Sequence, residues 1–295
     1  MTSRDLAIGL DIGGTKMKCG VVDINGSVIG EPREVPTNAR GPREKIVAGI
    51  LDLLNGALSD VPENRLRGIG IGCSGPLDIV NGVILKCNTL PTMHNYPLKH
   101  IVELTTCKQV RMNNDANAMM LGEAVWGAGR GRSSILGITL GTGIGCAFID
   151  KGKIWEGRTG NSGEIWQSPY RDGVIEDYVS GPALARMYKA MTGMELTGKE
   201  VAERALSGEE AALDVFAQFA DGLVFALAWT LNTVDPDAVI LGGSVVNSAD
   251  LFLSRVRTLL PKYLSEEAAQ HIDILTAGLG NNAGFMGAAA LMFED

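Results

Sequence analysis

Apolar and polar residues alternate along the opening segment of the chain. The stretch from Leu6 to Asp11 alternates and runs into Gly13-Gly14, and the stretch from Lys18 to Ile24 alternates before Asn25-Gly26. A period of two is typical of half-buried strands, and Asn-Gly is a strong signal for a two-residue hairpin turn. The pattern therefore predicts that the protein begins with a β-meander.

The pattern changes to a helical period between Arg43 and Leu58, where isoleucine and leucine recur three and four residues apart, and we expect a helix there. Ile69 to Cys73 returns to a strand pattern. A second helix is predicted from Asp115 to Trp126. This stretch is rich in Ala, Met and Leu and follows the polar pair Asn113-Asn114, which suits a helix N-terminus.

A second strand-rich block runs from Ser134 to Ile154 and repeats the opening pattern around a glycine-rich centre. From Pro182 onwards the chain is mostly helical, apart from a short buried strand predicted at Ala238 to Leu241. The long apolar stretch from Val215 to Val234 is interrupted by polar residues, which predicts a buried helix rather than a membrane span. The whole pattern indicates two α/β halves, each opening with a strand, a glycine-rich turn and another strand.

The composition limits the kinds of molecule that the protein is expected to bind. A chain of 295 residues with 45% hydrophobic content can bury a substantial core in two domains. A formal charge of −8 and a pI near 5.0 argue against binding to nucleic acid, which depends on clustered Lys and Arg. ATP is still allowed, because backbone N–H groups and a metal can hold phosphates.

Five cysteines without a Cys-x-x-Cys pair predict reduced thiols, and the N-terminus has no signal-peptide pattern. We therefore expect a cytoplasmic protein that does not bind membranes.

The segment from Leu10 to Lys16 is the first candidate phosphate site. Its paired glycines let the backbone approach an anion and present N–H donors to it. A Walker A loop would open a helix, whereas a strand is predicted to follow here, so the P-loop class does not fit. Taken alone, a hairpin that needs glycine for a positive φ explains the motif equally well.

A second Gly-Thr turn, from Thr139 to Gly145, again lies between strand-like segments. Two such turns would bind the β- and γ-phosphates of a nucleotide from opposite sides. In that arrangement Asp11, at the end of the first strand, would hold Mg²⁺ directly or through water. The alternative for Asp11 is a carboxylate that caps the turn.

The segment from Gly70 to Gly75 matches Gly-x-Gly-x-x-Gly, the pattern of dinucleotide-binding folds. Pro76 and a turn at Asn81-Gly82 follow it, rather than a helix, so we reject a dinucleotide site. We expect a strand that ends in a Gly-Pro loop at a substrate pocket.

The run from Asn113 to Asn117 places four polar side chains, three amides and one carboxylate, before an apolar helix. A helix cap explains one of them. Phosphoryl transfer uses a carboxylate to accept the proton of the attacking hydroxyl, which makes Asp115 the candidate base. Further carboxylates, Glu164 and Glu176, follow the second glycine turn and are candidates for binding sugar hydroxyls, although isolated acids are more often solvated surface charge.

Taken together, these motifs resemble the ROK family (repressors, open reading frames and kinases) of the actin-like/hexokinase superfamily. The resemblance covers essentially the whole chain in order: Leu-Asp-Ile-Gly-Gly-Thr-Lys, Asn-Asp-Ala-Asn-Ala, Leu-Gly-Thr-Gly-Ile-Gly, Gly-Glu, Glu-Asp-Tyr-x-Ser-Gly and Asp-Pro-Asp-x-Val-Ile-Leu-Gly-Gly. It implies a two-domain actin-like ATPase (ribonuclease H-like) fold with mixed sheets flanked by helices. It also implies a homodimer, with ATP and sugar in the cleft between the domains.

On this basis we expect an N-terminal domain over 1–115, a C-terminal domain over 116–280, and a final helix over 281–295 that packs back on the first domain. The resemblance implies that Asp115 is the catalytic base. It implies that the sugar is bound by Gly75, Asn88, Asn114, Asp115, Glu164 and Glu176. It implies an ATP site formed by Asp11, Gly13, Gly14, Thr15, Lys16, Gly141, Thr142, Gly143 and Gly145, with Gly242 and Gly243 beside the nucleoside.

The sequence departs from the family between Glu164 and Glu176. Family members usually carry Gly-Glu-x-Gly-His followed by a zinc cluster of cysteines, whereas here Gln167 takes the place of the His and Ser168 to Val174 holds no cysteine. Structural zinc needs about four ligands, so we predict no zinc site. Gln167 can donate and accept hydrogen bonds to a sugar, so the departure concerns the identity of the sugar.

We therefore expect an ATP-dependent, Mg²⁺-assisted sugar kinase with glucose as the default substrate. Kinases of N-acetylmannosamine or another amino-hexose, mannose, fructose or allose remain alternatives. A non-catalytic sugar sensor on the same scaffold is a second class, and the intact Asp115 argues against it. A sugar-responsive repressor is a third class, and only ten residues precede Asp11, too few for a helix-turn-helix.

Overall fold

The computed structural model describes residues 4–160 and 162–294. These residues form two compact units that are discontinuous along the chain. Among the described residues the first unit comprises 4–131, 149–160 and 278–294, and the second comprises 132–148 and 162–277.

The strands alternate with turns and helices along the chain. They are β1 (Leu6–Ile12), β2 (Lys16–Asp23), β3 (Val28–Pro36), β4 (Leu66–Cys73), β5 (Leu77–Asp78), β6 (Val83–Ile84), β7 (Val110–Asn114), β8 (Ser134–Leu140), β9 (Ile144–Asp150), β10 (Lys153–Ile154), β11 (Pro169–Tyr170), β12 (Gly173–Val174), β13 (Ala238–Gly242) and β14 (Asp273–Thr276).

The α-helices are α1 (Arg43–Ser59), α2 (Leu98–Thr106), α3 (Asp115–Val125), α4 (Gly181–Thr192), α5 (Gly198–Leu206), α6 (Glu210–Val234), α7 (Leu253–Leu259), α8 (Glu266–His271) and α9 (Ala283–Ala290). Short 3₁₀ turns at Ile165–Gln167 and Ile175–Asp177 flank the β11–β12 hairpin. The strands and helices predicted from hydrophobic periodicity are confirmed, including the opening meander and the two early helices.

The first unit is built on a five-stranded sheet in the order β3-β2-β1-β4-β7. The meander pairs antiparallel, and β4 and β7 then add in parallel on the other side of β1. Helix α9 lies directly on this sheet because two strand positions are glycine. A Cβ on Gly9 would lie 1.8 Å from the carbonyl oxygen of Phe285, and one on Gly70 would lie 1.7 Å from that of Ala288.

The second unit is built around a sheet in the order β10-β9-β8-β13-β14, with β13 parallel to both of its neighbours. Helix α6 is long and apolar enough to cross a membrane by length and composition alone, but 61% of its apolar window is buried. Phe216, Phe219 and Leu223 of this helix are completely buried in the core of the unit. The prediction of a buried helix is therefore confirmed.

Candidate active site

The first glycine turn joins β1 to β2 and is fixed by a buried threonine. The Gly13 N–H donates to the carbonyl of Lys16 at 3.1 Å. Thr37 is 1% exposed, its hydroxyl donates to the Gly13 carbonyl at 2.6 Å, and its N–H donates to the Thr15 carbonyl at 2.9 Å. The turn is thus held from the end of β3, and the side chains of Thr15 and Lys16 lie at the surface.

Asp11 is a half-buried carboxylate near the end of β1. Helix α9 approaches it so closely that a Cβ on Gly284 would lie 2.2 Å from the Asp11 carboxylate. Burial, and secondarily the negative charge of Asp115, raise the pKa of Asp11 to about 7, while Lys16 and Lys18 act in the opposite direction. Asp11 is therefore poorly solvated, and a second carboxylate lies close enough to oppose its ionisation.

Asp115 is the first residue of α3 and follows directly on strand β7. Asn114 caps the helix, because its side-chain oxygen accepts the Ala116 N–H at 2.9 Å. The Asp115 carboxylate accepts the Ser74 hydroxyl at 2.8 Å and the Ala116 N–H at 2.9 Å. Burial raises the pKa of Asp115 above its ordinary value, and the Ser74 hydrogen bond offsets part of that rise.

Asn113 fixes the junction between β7 and α3 through its hydrogen bonds. It is 3% exposed, its side-chain oxygen accepts the Asn114 N–H at 2.8 Å and the Asn117 amide at 3.0 Å, and its own amide donates to Glu156 at 2.7 Å. Buried polar side chains with every group paired hold a single geometry. Asn113 and Asn117 therefore act as supports of the segment rather than as ligands.

The remaining predicted residues of the first unit lie at two close approaches between chain segments. A Cβ on Gly75 would lie 3.2 Å from the side-chain nitrogen of Asn114, and one on Gly14 would lie 3.2 Å from the Thr89 carbonyl, next to Asn88. The second approach borders an open hollow of about 600 Å³. It is lined by Gly14, Asn38, Ala39, Arg40, Gly41, Asn88, Thr89 and Pro91.

Sequence reasoning missed the functional contribution of Ser74. Its hydroxyl holds the candidate base, yet nothing in the local sequence marks it. The parallel pairing of β4 with β7 places Cys73 opposite Asn114, so the residues that follow, Ser74 and Asp115, come together at the ends of the two strands. The register of these strands is the signal that would have found it.

The second glycine turn lies between β8 and β9 in the second unit. The Gly141 N–H donates to the Gly143 carbonyl at 2.9 Å, and the Ile144 N–H donates to the Glu176 carboxylate at 3.0 Å. A Cβ on Gly143 would lie 2.5 Å from that carboxylate. The structure therefore brings one predicted sugar-binding acid into direct contact with the predicted phosphate turn. Thr142 is exposed at the tip, and Gly145 follows within β9.

Gly242 and Gly243 end strand β13 at the same edge of the sheet, since Gly242 pairs with Thr139 of β8. Gly243 has a φ of +88°, and a Cβ there would lie 2.3 Å from the Leu140 carbonyl. Only glycine fits this position without displacing the backbone. The second turn and the Gly-Gly pair are therefore neighbours within the second unit.

Glu164 and Gln167 are exposed and flank a 3₁₀ turn that packs against the turn carrying Glu176. The indole N–H of Trp166 donates to the Glu164 carboxylate. The segment between them and Glu176 forms the β11–β12 hairpin. Within residues 4–160 and 162–294, no three His, Cys, Asp or Glu side chains form a metal-binding group, and the lack of a zinc site stays a prediction.

The sequence is similar to kinases of known name along almost all of its length. A glucokinase from Halalkalibacterium halodurans is 30% identical, covering 97% of this chain and 94% of the relative. An N-acetyl-D-glucosamine kinase from Pectobacterium atrosepticum is also 30% identical, covering 97% of this chain and 99% of the relative.

Solved structures give the same result. The ROK hexokinase from Thermus thermophilus superposes with a TM-score of 0.85 at 29% identity and covers 97% of each chain. A ROK family glucokinase from Streptomyces griseus, in complex with glucose and AMPPNP, superposes with a TM-score of 0.81 at 32% identity, covering 97% of this chain and 98% of that one. The fold is that of the actin-like sugar kinases. Residues 7–295 match the ROK family, and the chain belongs to it.

Proposed function

We propose that the protein is a sugar kinase that transfers the γ-phosphate of ATP to a hydroxyl of a hexose. The observation that carries the proposal is the Asp115 carboxylate, held by Ser74 at the N-terminus of α3 with Asp11 nearby. Membership of the ROK family and the similarity to named sugar kinases support the same reaction class.

In this mechanism Asp115 accepts the proton of the attacking hydroxyl. Phosphoryl transfer passes through a loose transition state, so the proton leaves late and the base acts mainly by holding and orienting the nucleophile. The Ser74 hydroxyl holds one carboxylate oxygen and the Ala116 N–H holds the other. Each oxygen can accept a further hydrogen bond, which leaves acceptor capacity for a sugar hydroxyl. A pKa raised by burial brings the carboxylate closer to the range in which a base works well at neutral pH.

Asp11 is suited to a magnesium ion. Burial and the neighbouring Asp115 carboxylate disfavour the ionised form of Asp11 and raise its pKa to about 7, and a bound cation would offset that cost. Carboxylate oxygens are hard ligands of the kind that Mg²⁺ prefers. Asp11 would hold the ion directly or through water. When bound, the ion would neutralise negative charge on the phosphates.

The phosphates are assigned to the two glycine turns, Asp11 to Lys16 and Gly141 to Gly145, whose backbone N–H groups are suited to anions. Gly242 and Gly243 are assigned to the nucleoside. The sugar is assigned to Gly75, Asn88, Asn114 and Asp115 in the first unit and to Glu164, Gln167 and Glu176 in the second.

Glucose is the first candidate substrate, because a glucokinase relative and a glucose complex are among the similar proteins. A relative named for N-acetyl-D-glucosamine supports an amino-hexose as the second candidate. N-acetylmannosamine, mannose, fructose and allose remain in the test panel. We also propose that the protein is cytoplasmic and that it forms a homodimer.

The test is an ATP-coupled assay over this panel of sugars, with the Asp115→Asn variant and an exposed control on α1, Asp52→Asn. We expect turnover with at least one sugar, a fall in kcat of roughly a thousandfold in Asp115→Asn with ATP binding retained, and no change in the control. A fully active Asp115→Asn variant would show that the base is misassigned. ATP binding without turnover on any sugar would favour a sensor.

A further inference from the structure

The segment between Glu164 and Glu176 contains a group of aromatic and charged side chains that the proposed reaction does not use. It starts with the 3₁₀ turn Ile165–Gln167, continues through the β11–β12 hairpin, and ends with the 3₁₀ turn Ile175–Asp177. The two turns pack against each other. Both acids assigned to the sugar thus lie at the ends of one small substructure.

The hydrogen bonds made by main-chain N–H groups hold this substructure weakly. The Ile175 N–H donates to the Ser168 carbonyl at 3.0 Å, and the Val174 N–H donates to the Asp177 carboxylate at 3.1 Å. The hairpin has only two residues in each strand. An isolated two-stranded hairpin is marginal in water, so side-chain packing must supply the order of the segment.

That packing comes from four side chains, which we call the aromatic clamp: Tyr170, Arg171, Tyr178 and Phe225. The ring of Tyr170 meets that of Tyr178 edge to face at 5.1 Å and that of Phe225 at 4.8 Å. The Arg171 guanidinium lies 5.3 Å from the Tyr170 ring centre and 5.1 Å from the Tyr178 ring centre. Aromatic pairs and cation–π contacts are attractive beyond the burial of apolar area, so these contacts stabilise the segment.

The clamp joins the hairpin to a rigid element. Phe225 belongs to α6, the 25-residue core helix, and Gly222 lies one turn before it. A Cβ on Gly222 would be 3.5 Å from both tyrosines and 2.9 Å from Val179. Because Gly222 has no side chain, the two tyrosines can pack directly against α6.

The clamp also reaches the second glycine turn through Glu176. This residue lies between Ile175 and Tyr178, and its carboxylate accepts the Ile144 N–H at 3.0 Å. If the 3₁₀ turn shifts, the carboxylate shifts away from that N–H. The position of Glu176 therefore depends on the packing of Tyr178 and Tyr170 two to six residues away in the chain.

We propose that the aromatic clamp, with Tyr170 at its centre, is a positioning device that fixes Glu164 and Glu176 for recognition of the sugar. The proposal rests on the proposed kinase function and deepens it. Tyr170 does not touch the reacting atoms. Its contribution is to lower the entropy cost of ordering the two acids when the sugar binds.

The test compares Tyr170→Ala with Tyr170→Phe in steady-state kinetics. We expect Tyr170→Ala to raise KM for the sugar about tenfold or more, with kcat changed by less than about threefold. Tyr170→Phe keeps the wild-type KM, because the Tyr170 hydroxyl has no hydrogen-bond partner among the described residues. Tyr263→Ala, which removes a 61% exposed tyrosine elsewhere in the second unit, is the matched control and leaves KM unchanged.

Hydrogen exchange of the peptide 164–178 in the same variants provides a readout that does not require turnover. Tyr170→Ala increases exchange there, Tyr170→Phe does not, and Tyr170→Leu, which keeps apolar bulk, covers the case in which the alanine variant does not fold. If the KM for the sugar and the hydrogen exchange of peptide 164–178 are unchanged in both Tyr170→Ala and Tyr170→Leu, the proposed role of the aromatic clamp is wrong. Absence of wild-type turnover on every sugar overturns the kinase function instead, and the exchange result still decides the clamp.

Discussion

The two units place acids differently, although both are built on five-stranded sheets with a glycine turn between two neighbouring strands. In the first unit Asp11 and Asp115 stand at strand ends, half-buried and with raised pKa values, and Asp115 accepts the Ser74 hydroxyl. In the second unit Glu164 is exposed on a short turn and Glu176 is held by one backbone N–H. The carboxylates assigned to the reaction are therefore built into the sheet, and those assigned to recognition stand on segments that can change without altering it.

The largest expected effect tests this division directly. Asp115→Asn should act on kcat, whereas Glu164→Gln should act on KM, because the role proposed for Glu164 is to bind a sugar hydroxyl that does not react. We expect Glu164→Gln to raise KM for the sugar roughly thirtyfold while kcat stays within about threefold, which corresponds to about 2 kcal/mol of binding. A fall in kcat with unchanged KM in Glu164→Gln would break the comparison.

A smaller effect is expected at Ser74, whose hydroxyl donates to the proposed base. Ser74→Ala removes a charge-assisted hydrogen bond, and we expect kcat to fall about tenfold. Because that bond lowers the pKa of Asp115, its loss should move the acid limb of the kcat/KM profile to higher pH. Ser59→Ala, at the exposed end of α1, serves as the control. An unshifted acid limb would argue that Ser74 does not act on the base.

The smallest effect concerns stability. The pKa of Asp11 rises from about 4 in the unfolded chain to about 7 in the folded one, so the folded protein holds a proton more tightly. This contribution to stability is complete below pH 4 and is lost as pH rises through 7. Asp11→Asn removes the ionisation. In the absence of Mg²⁺ and ATP it should melt a few degrees higher than wild type at pH 8, and the difference should disappear toward pH 4. Equal melting shifts at both pH values would contradict the burial of a charged Asp11.

Local patterns were sufficient for most of the secondary structure. Alternation gave the meander, helical spacing gave α1 and α3, and glycine pairs marked the turns that the structure forms at Gly13 and Gly141. These features depend on neighbours in sequence, and so sequence reveals them.

Features that depend on register or on packing between distant segments were not predictable. Ser74 meets Asp115 only because β4 and β7 pair in one register. Tyr170 meets Phe225 across more than fifty residues of chain. The hairpin turn itself carries no glycine at its left-handed position, since Arg171 has a φ of +52°. Asp172-Gly173 is a local turn signal, but it does not mark Arg171 as the left-handed residue.

The close packing of α9 against Gly9 and Gly70 affects how mutant libraries should be interpreted. The same helix covers Asp11 at Gly284, and Arg111 ties the residues beyond it by donating to the Leu291 carbonyl at 2.8 Å. A random change near the C-terminus can therefore hydrate Asp11 almost three hundred positions away and appear in a screen as an active-site defect. Library hits at 283–291 should be sorted with those at Asp11, not with ordinary destabilising variants.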